Sequence, residues 1–455
     1  MKITLIQPKM QMRPMDTTLK TRMAPSLGLY TVATVVRQGN DITFFNENIE
    51  EIDFERQTDV VGITVTVDTL LRAEQIAQRY RAKGIPVVAG GIQITSYPES
   101  ARGKFDALSI GFAEGTWPKI LHDLKRGCLQ SEYKSLKLLP SQIAGPAYDL
   151  IDSGKYLYVN VISTSRGCPF NCSFCYNSCE YICQSYVNRP IDDVVREIRY
   201  LNRRHIMFID DNFIGNPKWT REFLKTIRPM GLKWQAAVSA NVVDIPGMLD
   251  LMKDSGCTAL FIGLESINQK SIDLSGKHQN SIDKYEFLCN ELHKRGIMLN
   301  ASFVFGLDGD TPETFNQTIG WIVKNKIETV TSHILTPYPG TQQYAEMSSA
   351  GRITDTNQNN YTTSHVVFQP KTMSPQQLYD GYLQVYREIY SFRNIWRRRP
   401  SSNRLAYLMF NLFYRKYGRL TERICRVIGY NRLGRIVESA CKLGNRLSIS
   451  QSISK

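Results

Sequence analysis

The chain has 455 residues, 42% of them hydrophobic and 22% charged, a globular composition that excludes wholesale disorder. At roughly 100–200 residues per domain it should hold two or three domains. The net charge of +14 sits at one end. From Ser391 onward, 15 Lys and Arg face only Glu422 and Glu438, while the remainder balances 41 bases against 40 acids. A near-neutral body with a basic tail points to an anionic surface, membrane or nucleic acid. The longest apolar run, Leu405 to Tyr414, falls short of the ~20 residues of a membrane span. The opening residues lack the apolar core of a signal peptide, so the chain is expected to be cytoplasmic. Ten cysteines then read as reduced thiols, some of them metal ligands.

The first ~125 residues alternate strand and helix signals. Strands are predicted at Ile3–Gln7, Ile42–Phe45, Val60–Thr66, Pro86–Ala89 and Ala107–Ile110. The clearest helix starts at Asp68 as N-cap, places Leu70, Ala73, Ala77 and Tyr80 on one face, and stops at Gly84. Continuous apolar strands between amphipathic helices predict a five-stranded, flavodoxin-like doubly wound α/β sheet. Such sheets bind ligands at the carboxyl ends of their strands. No Gly-x-Gly-x-x-Gly or phosphate loop follows any strand, which disfavours a nucleotide. Thr64, Gly90-Gly91-Ile92-Gln93 and Gly111 to Gly115 stand there instead, and such glycines let a flat ligand lie against backbone or simply make tight turns.

A strand at Tyr158–Ile162 leads into Cys168-Pro-Phe-Asn-Cys172-Ser-Phe-Cys175. Three thiolates at this spacing can wrap one corner of an iron–sulfur cube and leave the fourth iron open. Zinc would need a closed site, with Cys179 or Cys183 as the fourth ligand. Further strand signals follow at Ile206–Ile209, Gln235–Val238, Ala259–Gly263, Asn300–Phe305 and Thr329–Leu335. With the intervening helical patterns they make about six β/α units.

This motif, opening a repeated β/α domain, resembles the radical S-adenosylmethionine superfamily and its partial (β/α)6 barrel. The resemblance implies a 4Fe–4S cluster on Cys168, Cys172 and Cys175, S-adenosylmethionine on the open iron, and a flavodoxin- or ferredoxin-type electron donor. Reductive cleavage of S-adenosylmethionine would give a 5′-deoxyadenosyl radical. By the same resemblance, the cofactor's contacts would come from Asp210 and Asp211, Ser239 and Asn241, Glu265, and Gly306. A flavodoxin-like domain ahead of such a barrel is similar to the cobalamin-binding subgroup. That implies cobalamin against Thr64, Gly90, Gly91, Gln93, Gly111 and Glu114. The Asp-x-His-x-x-Gly loop of some cobalamin domains is absent and Gln93 stands where many relatives have His, so no imidazole is expected on cobalt.

The implied layout is a cobalamin-binding-like domain at 1–127, a linker at 128–155, the barrel at 156–340, a substrate-capping extension at 341–390 and a basic amphipathic helical tail at 391–455. The extension carries Tyr338, Tyr361 and Tyr382 in and around it, either core or substrate aromatics. The tail mixes Arg397-Arg398-Arg399 with Leu405, Tyr407, Leu408, Phe410, Leu412, Phe413, Tyr414 and Tyr417, the composition of a membrane-surface helix. The function expected is methyl transfer from methylcobalamin to an unactivated carbon of an apolar or natural-product small molecule. A radical cyclase or rearrangement of the porphyrin-cyclase kind is the alternative, with an iron–sulfur RNA-binding or sensor protein behind it. Nucleic acid is disfavoured, and peripheral contact at the inner membrane face is expected.

Overall fold

The computed structural model describes residues 1–13, 16–182, 186–401, 403–413, 418–437 and 439. Cys183, Tyr414 and Tyr417 lie outside the described residues. The first sheet has six parallel strands in the order β2-β1-β3-β4-β5-β6. They are β1 (Lys2–Gln7), β2 (Asp41–Asn46), β3 (Val60–Thr64), β4 (Val87–Gly90), β5 (Ala107–Gly111) and β6 (Glu132–Ser135). The helices are α1 (Leu27–Val36), α2 (Leu70–Arg81), α3 (Ile92–Ser96) and α4 (Ala113–Lys125).

Alternation along the strands feeds two cores. Ile6, Val61, Ile63 and Ala89 face Leu70, Ala73, Ile76 and Tyr80 of α2, while Ile3, Leu5, Val60 and Val88 face α1 and α4 through Val32, Val36 and Trp117. Burial on both faces is what keeps these strands apolar throughout. Six strands stand where five were expected. Glu132–Ser135, in the segment read as linker, pairs with β5; its polar sequence EYKS suits an edge and hides it from a hydrophobicity scan. Asp68 is also displaced from its expected role. Thr66 caps a 3-10 turn over Val67–Thr69 ahead of α2, and Asp68 lies within that turn, accepting from Thr66 Oγ1 at 2.8 Å.

The second sheet is also parallel, in the order β14-β13-β12-β11-β10-β7. Its strands are β7 (Val161–Ile162), β10 (His205–Phe208), β11 (Lys233–Val238), β12 (Cys257–Glu265), β13 (Met298–Phe305) and β14 (Thr329–Ile334). Between β7 and β10 lies a two-stranded antiparallel ribbon, β8 (Ser165–Arg166) with β9 (Val187–Asn188). Helices α5 (Ile191–Leu201), α6 (Pro217–Ile227), α7 (Met248–Asp254), α8 (Gln269–Leu274), α9 (Tyr285–Lys294) and α10 (Pro312–Lys324) separate the longer strands. One contiguous apolar core joins them to the sheet.

After α11 (Gln342–Ser349), helix α12 (Pro375–Ile389) closes the free side of the second sheet. Tyr382 is buried, and Tyr386 and Tyr390 follow at four-residue spacing, which puts all three on one face. The Tyr386 hydroxyl donates to Ser332 O and accepts from Ser332 N, both at 3.0 Å. The Tyr390 hydroxyl does the same at Val330, at 2.7 and 3.2 Å. Two side chains thereby complete the backbone bonds that edge strand β14 would leave open. Tyr361 is buried too, packed on Val67 of the first domain, so Tyr361 and Tyr382 are core aromatics.

The tail departs from a single surface helix. Its first part breaks into α13 (Phe392–Arg397) and α14 (Arg404–Leu408). Arg398, in the middle of the basic triplet, is fully buried. Its guanidinium donates to Ile327 O at 2.6 Å, Ile389 O at 2.8 Å and Asn411 Oδ1 at 3.2 Å. Tyr407 is buried as well, its hydroxyl on Ile395 O. Further on, Cys425 and Tyr430 pack with Leu19, and Arg22 stacks over the Tyr430 ring at 4.7 Å. Among the described residues no helix is long and apolar enough to cross a membrane.

Arg398→Met should therefore lower the thermal unfolding midpoint sharply, because each buried carbonyl left without a donor costs about 1–3 kcal/mol. Arg399→Met, at an exposed position, should stay within about 0.5 kcal/mol of the parent. Parallel unfolding curves of the two variants check this. Equal midpoints would mean that Arg398 does not brace the tail.

Candidate active site

The cysteine loop runs between β8 and β9, and one buried carboxylate fixes the turn from β7 into β8 that leads to it. Asp210, just beyond β10, accepts from Thr164 N at 2.7 Å, Thr164 Oγ1 at 3.0 Å, Ser165 N at 2.5 Å and Ser165 Oγ at 2.8 Å. Arg189 donates to Ser163 O at 2.9 Å and pairs with Glu197, holding the return strand β9 to the same turn. Gly167, at φ +75°, lets the chain reverse immediately before Cys168.

Within the loop, Ser173 N and Oγ both donate to Ser275 O at 3.0 Å. Gln279 Nε2 donates to Cys172 Sγ at 3.5 Å, and Asn177 Nδ2 to Cys175 Sγ at 3.6 Å. Burial, with the charges of Cys175, Asp211 and Cys172, pushes the Cys168 thiol up to about 11; burial raises Cys175 as well. Such thiols become thiolates only beside a metal's positive charge. Among the described residues no three His, Cys, Asp or Glu side chains converge on one point as a single ion requires. A cube binds each thiolate through a separate iron, so three neighbouring cysteines spread along one loop fit a cluster. Cys179 is buried one turn further on.

The expected cofactor contacts fall into four groups. Asp210 is engaged by the cysteine turn, and Asp211 beside it opens into a cavity, its pKa raised by burial against the opposing effects of Asn177 and Arg166. Ser239 and Asn241 form a relay with Asn212: Asn212 Nδ2 donates to Ser239 Oγ at 3.2 Å, and Ser239 Oγ to Asn241 Oδ1 at 2.6 Å. Glu265 sits at a bulge ending β12, at φ +64°, a left-handed conformation uncommon outside glycine. It is buried in an ion pair with Lys277. Gly306, at φ +95°, has no room for a Cβ, which would meet Leu378 Cδ2 at 2.7 Å. Its N–H donates to Asp310 Oδ2 at 3.0 Å.

The cavity, about 550 Å³, lies where the carboxyl ends of both sheets face each other. Thr64, Gly90, Gly91, Gly111 and Glu114 line it from the first domain, Arg166, Gly167, Asp210 and Asp211 from the second. Gly91, at φ +102°, is required there: a Cβ would stand 2.9 Å from Thr64 Oγ1 and from the Val65 backbone. Glu114 also accepts from Ala144 N at 3.3 Å. Gln93 is not among the lining residues. It is fully buried under α3, its Nε2 on Ser100 Oγ at 3.1 Å, because the helix that starts at Ile92 turns its side chain into the domain.

The family model of the radical SAM superfamily matches residues 162–322. A bacteriochlorophyllide d C-12(1)-methyltransferase of Chlorobaculum tepidum is 31% identical over 87% of this chain and 88% of its own. The chain belongs to the radical SAM superfamily, in the family of that methyltransferase. The C-8(2)-methyltransferase of the same organism is 28% identical over 88% of this chain and 93% of its own. Among solved structures, the radical S-adenosylmethionine methyltransferase TsrM from Kitasatospora setae shares the fold at TM-score 0.59 and 17% identity, covering 77% of this chain and 78% of its own. The cobalamin-dependent radical enzyme OxsB shares it at TM-score 0.62 and 13% identity, covering 87% and 67%.

For this radical enzyme, sequence reading passed over several residues. Ser26, Leu27, Gly28 and Leu29, at the start of α1, line the cavity with Trp117, although no loop motif marks them. Arg166 lines it from β8. Lys277 in a polar loop reads as a solvated lysine, and only the fold buries it.

Asp310 supplies a pH test. Burial pushes its carboxyl up to about 6, against an unfolded value of about 3.9. An acid raised on folding favours the protonated native state, so its stabilising contribution is present below about pH 3.9 and lost as pH rises through about 6. In Asp310→Asn the amide oxygen still accepts from Gly306 and Leu307, and its NH2 reaches Ser271 Oγ, the present partner at 2.9 Å. The thermal midpoint of that variant should fall less than the parent's between pH 4 and 6. Parallel slopes would show that Asp310 does not titrate in that window.

Proposed function

We propose that the protein is a cobalamin-dependent radical C-methyltransferase that moves a methyl group to an unactivated carbon of an apolar small molecule. The reading rests on one observation, a single cavity between the flavodoxin-like sheet and the partial (β/α)6 barrel, lined from both by residues of the expected sites. Cys168, Cys172 and Cys175 would hold the 4Fe–4S cluster; Thr64, Gly90, Gly91 and Gly111 would lie against cobalamin. Bound there, the cluster supplies an electron to S-adenosylmethionine, cobalamin supplies a methyl group, and the chain's own part is to orient both and exclude water. Asp210 would act through the cysteine turn, since its oxygens are engaged there. Asp211, facing the cavity, is the carboxylate available to a cofactor's ammonium. His122 is exposed on α4, away from the residues that line the cavity. The substrate class follows the relatives, a bacteriochlorophyllide or similarly apolar ring system. Cyclases of that wider group match at lower identity, 24% over 80% of this chain.

Anaerobically reconstituted protein given S-adenosylmethionine, cobalamin and a flavodoxin- or ferredoxin-type donor should form 5′-deoxyadenosine and, with a bacteriochlorophyllide, a product heavier by one CH2. The Cys168→Ala/Cys172→Ala/Cys175→Ala variant should lose the brown absorbance and both products. A product of unchanged carbon count with a new ring would replace methyl transfer by cyclisation.

The partner surface is the outer face of the tail, in a cytoplasmic enzyme touching the inner membrane face. Phe392, Trp396, Leu405 and Phe410 are exposed beside Arg397 and Arg399, aromatic groups and cations that together suit an anionic leaflet. A chain cut at Tyr390 would lose the Arg398 brace, so substitutions are the better test. The parent should co-sediment with anionic vesicles and release as salt rises, because the Debye length is only about 8 Å at physiological ionic strength. Trp396→Ser/Phe410→Ser should bind several-fold more weakly. Equal binding of the two, or none by the parent, would rule the face out.

A further inference from the structure

The inner face of the second sheet carries side chains to which no role has yet been given. Leu260 and Ile262 of β12, Leu299 and Ala301 of β13, and Val330 and Ile334 of β14 turn outward into the helical core. Alternation therefore turns Phe261, Asn300, Thr331 and His333 inward. A closed β/α barrel fills that space with bulky branched side chains. Here all four residues keep accessible surface, and Phe261 is 37% exposed. They share one trough: Phe261 pairs with Asn300 across the strands, and Thr331 Oγ1 donates to Asn300 Oδ1 at 3.2 Å. At the amino ends of the strands, Ile395 and Tyr407 of the tail pack with Met298 and Ala259 and close the floor. At the carboxyl ends, Tyr176, next to Cys175, stacks on Tyr338 at 4.5 Å, which brings the cysteine loop to the trough's mouth.

Strained backbone holds His333 in place. Thr363, at φ +62°, is a β-branched residue in the left-handed region, an outlier that persists only where its surroundings enforce it. It grips β14 twice: its carbonyl accepts from Ile334 N at 2.8 Å, and its Oγ1 lies 3.1 Å from His333 Nδ1. Among the described residues no hydrogen bond reaches Nε2. A bond at one ring nitrogen fixes the tautomer and aims the other, which is the usual setting of a metal-binding imidazole. The ring keeps accessible surface, yet burial within the trough pushes its pKa down to about 3, with Arg13 and Lys20 adding to the effect. The imidazole is therefore neutral at pH 7 and keeps a lone pair.

One nitrogen does not hold a free ion, and among the described residues no three His, Cys, Asp or Glu side chains converge. One nitrogen can complete a metal whose other positions are filled by a ligand of its own. A magnesium tetrapyrrole presents such a metal at the centre of a flat apolar ring, with an axial position open. The exposed ring of Phe261 suits that apolar plane. We propose that His333 Nε2 is the axial ligand to the magnesium of a tetrapyrrole substrate lying against the inner face of the second sheet, with Thr363 as the positioning residue at Nδ1. The inference rests on the substrate class proposed above. The Nε2 lone pair takes the place of an axial water, and no proton or electron is transferred. Tethering the centre of the ring limits which edge of it can reach the cofactors, so His333 also serves the choice of carbon.

The test is a dark, anaerobic binding titration of the full-length protein reconstituted with its cofactors, using a bacteriochlorophyllide and the same ring without magnesium. Thermal midpoints are measured in parallel. The parent should bind the magnesium form about tenfold tighter than the metal-free form, the low end of what contacts around a metal contribute. His333→Ala should bind both forms alike, and added imidazole should restore the preference. Thr363→Val, which removes only the hydroxyl, should weaken binding of the magnesium form several-fold and leave the metal-free form unchanged. If His333→Ala does not fold, His333→Leu takes its place and should lose the preference; if neither folds, Thr363→Val decides alone. A folded His333 variant that keeps the preference, a Thr363→Val variant that matches the parent, or a parent that binds both forms alike overturns the proposal. A parent that binds neither form removes the substrate class itself and the proposal with it, an outcome distinct from a lost preference.

Discussion

Four hydrogen bonds into one buried carboxylate fix the base of the cysteine loop. Asp210 lies at the carboxyl end of β10 and takes the backbone and hydroxyls of Thr164 and Ser165 together. A carboxylate removed from water is tolerated only when its oxygens are so fully engaged. The result is a cysteine loop whose base cannot slide relative to the sheet. The same strand end presents Asp211 to the cavity, so the cluster loop and the opening towards the first domain share one anchor.

The two sheets then need to be held carboxyl end to carboxyl end. Gly340 lies so close to Ser96 and Tyr97 that no side chain fits, and Tyr361 and Val367 pack on Val67 of the first domain. From the other side, Tyr386 and Tyr390 complete the edge of β14, and Arg398 ties the tail to the carbonyls of Ile327 and Ile389. The chain beyond the second sheet is thus largely clamp. Its unburied remainder includes Trp396, with Arg399 stacked on its ring.

Both sheets were legible because strands buried on two faces are continuous apolar runs, and the three loop cysteines stood out because their spacing suits a cluster. Strand β6 was not legible, since an edge strand written EYKS looks like a loop. Gln93 and Asp210 were placed correctly along the chain, yet their side chains turn elsewhere: Gln93 into α3's underside, Asp210 onto the cysteine turn. Orientation within a loop depends on partners far away in sequence. Lys277 and Arg398 make the same point for charge, because a basic residue in a polar segment reads as solvated until the fold buries it.

The account stands on two metals facing one cavity. Anomalous scattering at the iron and cobalt edges, from crystals of the protein reconstituted with both cofactors, locates each directly. Iron should appear at Cys168, Cys172 and Cys175, and cobalt across the cavity beside Gly90, Gly91 and Gly111. Cobalt absent, or bound outside the cavity while iron occupies the loop, would contradict methyl transfer between the two domains.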